Sequence, residues 1–219
     1  KNMWNDFLIN NIPITKSMSF VQTFRTNYAP IIRFTLFLTF MASISSFFLG
    51  VMPFYLVNYL NYKPIEVMQV IIIISTVGII GFIAGGYYHA HIGKSWHLTL
   101  GVILKLLLYF LFQEYIHHNL YLVELFGALC LFTLGLMAAK MPLVLNSIFP
   151  PTSRLYALSI TYNLSWGLTF GMFSFIVISL INHFHNLYIP SIVMMFFSYL
   201  SLISLWFTPK EDFFRYLSQ

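Results

Sequence analysis

The residues of this sequence best able to do chemistry are ionisable side chains set in apolar runs. Lys105 lies in Leu104-Lys105-Leu106, and Lys140 lies between Ala139 and Met141. A charged lysine at membrane depth costs at least about 2.5 kcal/mol, so each needs water, a partner or the interface. On a helical wheel Lys140 points away from the small residues of its own segment, so it is expected to snorkel to the nearer interface. Lys105 belongs to a series, His97, Gly101, Lys105, Tyr109 and Gln113, that recurs every fourth residue. Such a series makes one slowly winding polar seam, because four residues overshoot a helical turn by about 40°. The seam faces either protein or lipid. The histidines come in pairs, His89 with His91, His117 with His118 and His183 with His185. Neither cysteines nor carboxylates complete a ligand set around them, so no metal site is expected. Gly-x-Ser-x-Gly, His-Glu-x-x-His and the Gly-rich phosphate loop Gly-x-x-x-x-Gly-Lys-Ser/Thr are all missing, so neither an enzyme nor a bound cofactor is expected.

These groups must be positioned by elements that live in hydrocarbon. Of 219 residues, 59% are hydrophobic and only 8% charged, against about 25% charged in a soluble domain. The mean hydropathy is +0.80. A lipid bilayer is thus the expected solvent. The net charge of +5 is better assigned to membrane-flanking loops than to nucleic acid. Cys130 sits in an apolar run and reads as a buried, inert thiol.

A membrane span needs about 20 largely apolar residues. Six segments meet that length, at 34–60, 66–88, 97–116, 121–147, 155–181 and 188–207. The fold class expected is an all-α membrane protein. Residues 1–32 form a linker, 33–208 the six-helix bundle and 209–219 a tail. Lys16 to Tyr28 is either an interfacial helix or a partly ordered connection. Asn61-Tyr62-Lys63-Pro64, Gly93-Lys94-Ser95, His117-His118-Asn119, Phe149-Pro150-Pro151 and His183-Phe184-His185-Asn186 break the spans. Thr152 or Ser153 is placed to cap the fifth. Connections this short force sequential spans to alternate in direction.

Lysines and arginines collect on the cytoplasmic side of a membrane. Lys1, Lys16, Arg25, Arg33, Lys94, Arg154, Lys210 and Arg215 fall on one side of this arrangement and Lys63 on the other. Both chain ends are therefore expected in the cytoplasm. Glu66, Glu114 and Glu124 fall near the outer side. The chain opens on Lys1 with a polar lead and no visible signal peptide, and is expected to be part of something longer.

Small residues recur on single helical faces. Thr39, Ser43, Ser46 and Gly50 share one face of the first span, with Pro53 close by. Gly78, Gly81 and Gly85 mark the second. Glu124, Gly127, Ala128, Gly135, Ala138, Ala139 and Pro142 mark the fourth, and Ser159, Asn163, Gly167, Gly171 and Ser174 the fifth. Helices in lipid approach through such residues. The stripes serve tight packing, or some of them line a path. Gly50 and Pro53 suggest a kinked first span, as in broken transporter helices.

Phe149-Pro150 with Arg154, then Tyr162-Asn163-Leu164 and Gly171, resembles the tenth-to-eleventh helix segment of major facilitator transporters. The closer likeness is to the metabolite:proton symporter subfamily, the proline/betaine transporter-like proteins. Phe54 to Leu60 resembles the end of their seventh helix, Lys16 to Arg25 their central cytoplasmic loop, and Gly86 to Lys94 their loop between helices eight and nine. In that loop Gly86, Gly93 and Lys94 keep the family spacing, but Ala90 and His91 stand where the family has Asp and Arg. Ser174 and Ala157 replace a family Pro and Gly.

The resemblance implies helices seven to twelve of a major facilitator fold, built as two inverted three-helix repeats. It implies that the first and fourth spans line a central cavity. The second and fifth would pack on an N-terminal half, and the third and sixth would be peripheral. The bilayer would be a bacterial inner membrane, and the function proton-coupled symport of a betaine, proline or a carboxylate. Tyr55, Asn58, Tyr162 and Asn163 are then the candidate solute contacts, with Lys140 more remote. Rival readings are a six-span membrane enzyme and a non-functional fragment.

Overall fold

The computed structural model describes residues 19–89, 96–115 and 119–206. These residues form helices and turns, with no strand among them. The helices are α1 (Phe20–Ser46), α2 (Met52–Asn58), α3 (Pro64–His89), α4 (Trp96–Tyr115), α5 (Leu120–Ala138), α6 (Met141–Ile148), α7 (Arg154–Tyr162), α8 (Thr169–Phe184) and α9 (Ile189–Trp206). Two π segments, Phe47–Val51 and Asn163–Leu168, join α1 to α2 and α7 to α8. The elements make six helical columns. Four stretches are long and apolar enough to cross a membrane: Phe20–Asn58, Pro64–Tyr87, Leu120–Ala138 and Arg154–Phe184. Gly101–Phe112 and Ile189–Ser204 are shorter apolar stretches in the third and sixth columns. The chain is thus an all-α protein with the helices of an integral membrane protein.

The first column begins earlier than the hydropathy pattern indicates. Ser19 caps it, accepting from the Gln22 amide, while the Gln22 side chain accepts from the Ser19 amide. That reciprocal pair satisfies two amides that a helix start otherwise leaves bare. Pro30 then removes one ladder bond and crowds the carbonyl of Thr26. Asn27 leaves helical geometry beside it. The chain from Phe20 is therefore one kinked helix continuing into the span. Before the kink it exposes Phe20, Val21 and Phe24; beyond it Ile31, Phe34 and Phe37 are buried.

Breaks elsewhere also trace to proline. Pro53 follows the π segment, whose extra residue in the turn relieves the clash with the preceding carbonyls. Pro142 would clash with the carbonyl of Ala138, and α5 ends there, leaving Ala139–Lys140 as a turn. The break divides the fourth span expected at 121–147. Asn61 and His185 take positive φ of 57° and 50°. Asn61 turns the chain just after α2, and the Tyr62 amide donates back to Leu56 O at 3.1 Å.

The first column is the hub, buried along most of its length, whereas the second, fourth and fifth are much less buried. It packs on the fifth and sixth columns. The fourth packs on the second and third, and the third meets the sixth. These principal pairings are unchanged when columns one, two and three are exchanged for four, five and six. The exchange also matches the breaks, since α2 and α6 both open on Met-Pro, at Met52-Pro53 and Met141-Pro142. The centre is aromatic. Phe47 and Phe48 of the π segment meet Phe112 edge-on at 5.7 and 5.1 Å, and Phe47 meets Tyr109 at 5.1 Å. Gly127 leaves room for Phe48 and Phe112.

The second and fourth columns run side by side with their backbones in contact. A Cβ on Gly81 would fall on the carbonyl oxygen of Phe132 and 2.9 Å from its Cα. One on Gly85 would fall 2.7 Å from Leu136 O, and one on Gly135 2.6 Å from the Phe82 nitrogen. The Gly81-x-x-x-Gly85 face is therefore used inside the chain. It is not a surface for an N-terminal half, a correction to the role the family resemblance implies for it. Gly167 and Gly171 differ, because a Cβ at either meets open space. Gly81→Leu is expected to cost about 1–3 kcal/mol through overpacking, seen as a lowered thermal midpoint in fluorescence-detected gel filtration. Gly167→Ala is expected to leave that midpoint within error.

Candidate functional site

The first and fifth columns are joined by a ladder of polar contacts. Asn27 Nδ2 donates to Ser153 Oγ at 3.2 Å, and Ser165 Oγ to Thr35 O at 3.4 Å. Ser46 Oγ donates to Phe170 O at 3.1 Å and lies 3.1 Å from Ser174 Oγ. Tyr59 Oη donates to Asn182 Oδ1. The sequence separations are 126, 130, 128 and 123 for Asn27, Thr35, Ser46 and Tyr59 with their partners. A nearly constant separation means the two columns run parallel, as alternate members of an up-and-down bundle must. Gly50 belongs to the same interface, since a Cβ there would lie 2.5 Å from Ser174 Oγ. The small stripe of the first span thus places Ser46 and Gly50 against Ser174 of the fifth, where the π segment loosens the helix. Ser165 also donates to the carbonyl of Thr161 in its own helix. Such back-bonding competes with the backbone ladder, and it falls at the second π segment.

Two grooves flank this ladder. One, of about 300 Å³, lies between the first, second and fourth columns, with Ser45, Ser75, Gly78, Gly135 and Ala138 in its wall. The other, of about 530 Å³, lies between the first and fifth and is lined by Phe20, Phe24, Ser159, Ile160, Asn163 and Leu164. Both walls are almost wholly apolar, with a few hydroxyl and amide groups able to orient a small molecule.

The residues singled out in the sequence occupy three places. Tyr55 is buried, and its hydroxyl donates to Leu187 O at 3.1 Å, strapping α2 to the turn before α9. Asn58, close by, is exposed and bonds Phe54 O of its own helix at 2.9 Å. Tyr162 and Asn163 lie towards the opposite end of the fifth column. Tyr162 is half-buried; Asn163 opens the π segment and faces the larger groove. Arg154, a turn or two away, donates from Nε to Phe149 O at 3.2 Å and holds the α6–α7 turn. Lys140 is in the break of the fourth column. The bundle therefore brings Tyr162 and Asn163 together but leaves Tyr55 and Asn58 at the far end. Gly86 is exposed with open space around it, and Gly93 and Lys94 lie outside the described residues.

Lys140 departs from the expectation of snorkelling. It is 4% exposed, and its Nζ is buried without a hydrogen-bond partner. The turn at Ala139–Lys140 re-aims the side chain, which a straight helical wheel cannot anticipate. In the third column Gly101 abuts Met137 of the fourth, and Tyr109 is buried with its hydroxyl near Ser191 of the sixth. Those two members of the seam face protein. His97, Lys105 and Gln113 have side chains outside the described set.

Sequence reasoning passed over Asn27, Tyr59 and Asn182. Spacing carries no trace of them, since each partner is more than a hundred residues away. Ser153 sits at the start of α7, but its hydroxyl bonds Pro150 O and Asn27 and caps nothing. Among the described residues no three His, Cys, Asp or Glu side chains group as metal ligands. No family model matches the chain, and no curated protein matches it. A Tyr59→Phe and Asn182→Ala double-mutant cycle, read by thermal unfolding in detergent, is expected to give a coupling of about 0.6 kcal/mol, up to about 1.7. A coupling of zero would show that this contact does not tie the columns.

Proposed function

We propose that this chain is the C-terminal half of a secondary transporter for a small organic solute, working by alternating access with an N-terminal half. The observation that carries the reading is the exchange symmetry of the helix pairings, together with matched Met-Pro breaks in the first and fourth columns. Two inverted three-helix repeats give such a pattern, and they build the halves of many transporters. Broken helices at equivalent depths place loosened backbone where a solute is bound.

Other features support it. The motifs Phe149-Pro150, Arg154 and Tyr162-Asn163, with their major facilitator likeness, cluster at one end of the bundle. The open face of Ser159, Asn163, Gly167 and Gly171 gives an N-terminal half, in the same gene or as a separate chain, a place to pack by small-residue contact. The solute would meet Asn163 and the grooves beside the first column. Tyr55 serves as a strap instead. Proton coupling would reside in the partner, because the spans here hold no deeply placed carboxylate. The membrane would be a bacterial inner membrane, with both ends of the chain in the cytoplasm.

The test is reconstitution. Vesicles carrying this chain alone are expected to show no solute uptake driven by a proton gradient, and vesicles with both halves to show it. Uptake by the single chain would refute the half-transporter reading. Topology is checked in a Cys130→Ala background with single cysteines at Lys63 and Arg154. An impermeant thiol reagent is expected to label them from opposite sides of the membrane. Labelling from the same side would dismantle the arrangement.

A further inference from the structure

An ammonium group enclosed by protein needs an anion close by. Removal from water costs several kcal/mol per ion, and only a paired or hydrogen-bonded charge recovers it. Lys140 has Nζ buried, with neither a hydrogen-bond partner nor an ion pair among the described residues. The acids of the described helices do not reach it. Glu66 pairs with Lys63 at 3.6 Å in the turn that opens α3. Glu114 is exposed near the end of α4 that lies on that same side. Glu124 shares the fourth column but opens it, and at 1.5 Å per residue it stands about 24 Å from Lys140. Lys140 is also the residue from which the eight-residue helix α6 starts. A helix start carries a fraction of a positive charge and bare amides. The dipole of α6 adds to the ammonium here, the last carbonyls of α5 offset part of it, and no carboxylate of the described residues lies opposite.

We propose that Lys140 anchors a carboxylate-binding site at the break in the fourth column, and that the transported solute is a small organic carboxylate. The role as solute anchor rests on the transport reading; the anion site rests on the burial and isolation of Nζ. A single ammonium balances a single carboxylate. A phosphate dianion would leave negative charge buried, and planar recognition of phosphate usually employs arginine. Arg154, whose Nε donates to Phe149 O, lies beyond the far end of α6 from Lys140. The uncompensated cation destabilises the empty site, so anion binding is driven by relief of that cost.

The experiment uses the full chain, labelled with ¹³Cε-lysine, in nanodiscs of phosphatidylcholine. The Lys140 resonance is assigned by its loss in Lys140→Met. Sodium propionate is the probe, with sodium chloride and choline chloride as controls. The expected result is a saturable shift of the Lys140 signal with propionate alone. Propionate affinity should weaken at least tenfold in Lys140→Gln and Lys140→Met, with Lys140→Arg retaining part of it. Lys140→Met should also unfold at the same or a higher temperature than the unsubstituted chain, because an apolar side chain replaces a bare charge. A lower midpoint would mean that the lysine serves an internal pair, and would overturn the proposal. It would equally be overturned by no propionate-specific shift, or by undiminished propionate affinity in Lys140→Met. Saturation of the Lys140 signal by added phosphatidylglycerol, with propionate excluded, would assign the site to a lipid headgroup and overturn it too. Lack of uptake by the two halves together would remove the transport reading while leaving the propionate result intact.

Discussion

Hydrocarbon offers a backbone no hydrogen-bond partner, and that single constraint organises this molecule. Each amide must find its carbonyl inside its own helix, so the chain is helical wherever it is apolar. Hydrophobic burial cannot then draw the helices together, because lipid is as apolar as leucine. What remains is contact: backbone on backbone where glycine permits it, and a few directed hydrogen bonds. The second and fourth columns take the first route, through Gly81, Gly85 and Gly135. The first and fifth take the second, through Asn27, Ser46 and Tyr59. The two interfaces are counterparts under exchange of the two halves, yet they solve the packing problem by different chemistry.

That difference bears on where the bundle can move. A glycine interface with a carbonyl at 2.7 Å from a would-be Cβ has no slack and behaves as a rigid pair. The polar ladder is close-packed at Gly50 against Ser174 but is otherwise held by directed bonds. It includes π segments in both helices, and each of its bonds contributes on the order of 0.6 kcal/mol by membrane standards. The first and fifth columns are therefore joined by directed hydrogen bonds where the second and fourth are joined backbone to backbone. Phe47 and Phe48, in the π segment itself, pack on Tyr109 and Phe112. Any tilt of α2 is thereby tied to the third column.

The sequence made the helices legible because hydropathy and proline are local signals. Among the described residues, turns fall where Pro64, Pro150 and His185 put them, while those expected at Gly93 and His117 lie outside the described residues. The kink at Asn27 and the start at Phe20 were less visible, since a capping box and an amphipathic turn do not raise hydropathy. The stripes of the first, second and fourth spans mark packed faces but do not name their partners. Gly81 and Gly85 face Phe132 and Leu136, and nothing in their spacing distinguishes them from Gly167 and Gly171, which face open space. The candidate site was legible only in pieces. Tyr162 and Asn163 adjoin because they are consecutive, whereas the strap from Tyr55 to Leu187 required the third dimension.

Lys140 marks the limit of wheel arithmetic. A wheel assumes an unbroken helix, and Pro142 removes that assumption within two residues. Once α5 stops at Ala138, the direction of the next side chain is set by the turn and not by the stripe before it. The same proline that breaks the ladder thus delivers a cation into the protein interior and starts a new helix beneath it. The counterpart break at Met52-Pro53 carries Val51 where the fourth column has Lys140, and there the interior is aromatic and needs no counter-ion. Two structurally matched breaks therefore differ in electrostatics: one is closed by packing, and the other buries a cation that no described side chain pairs.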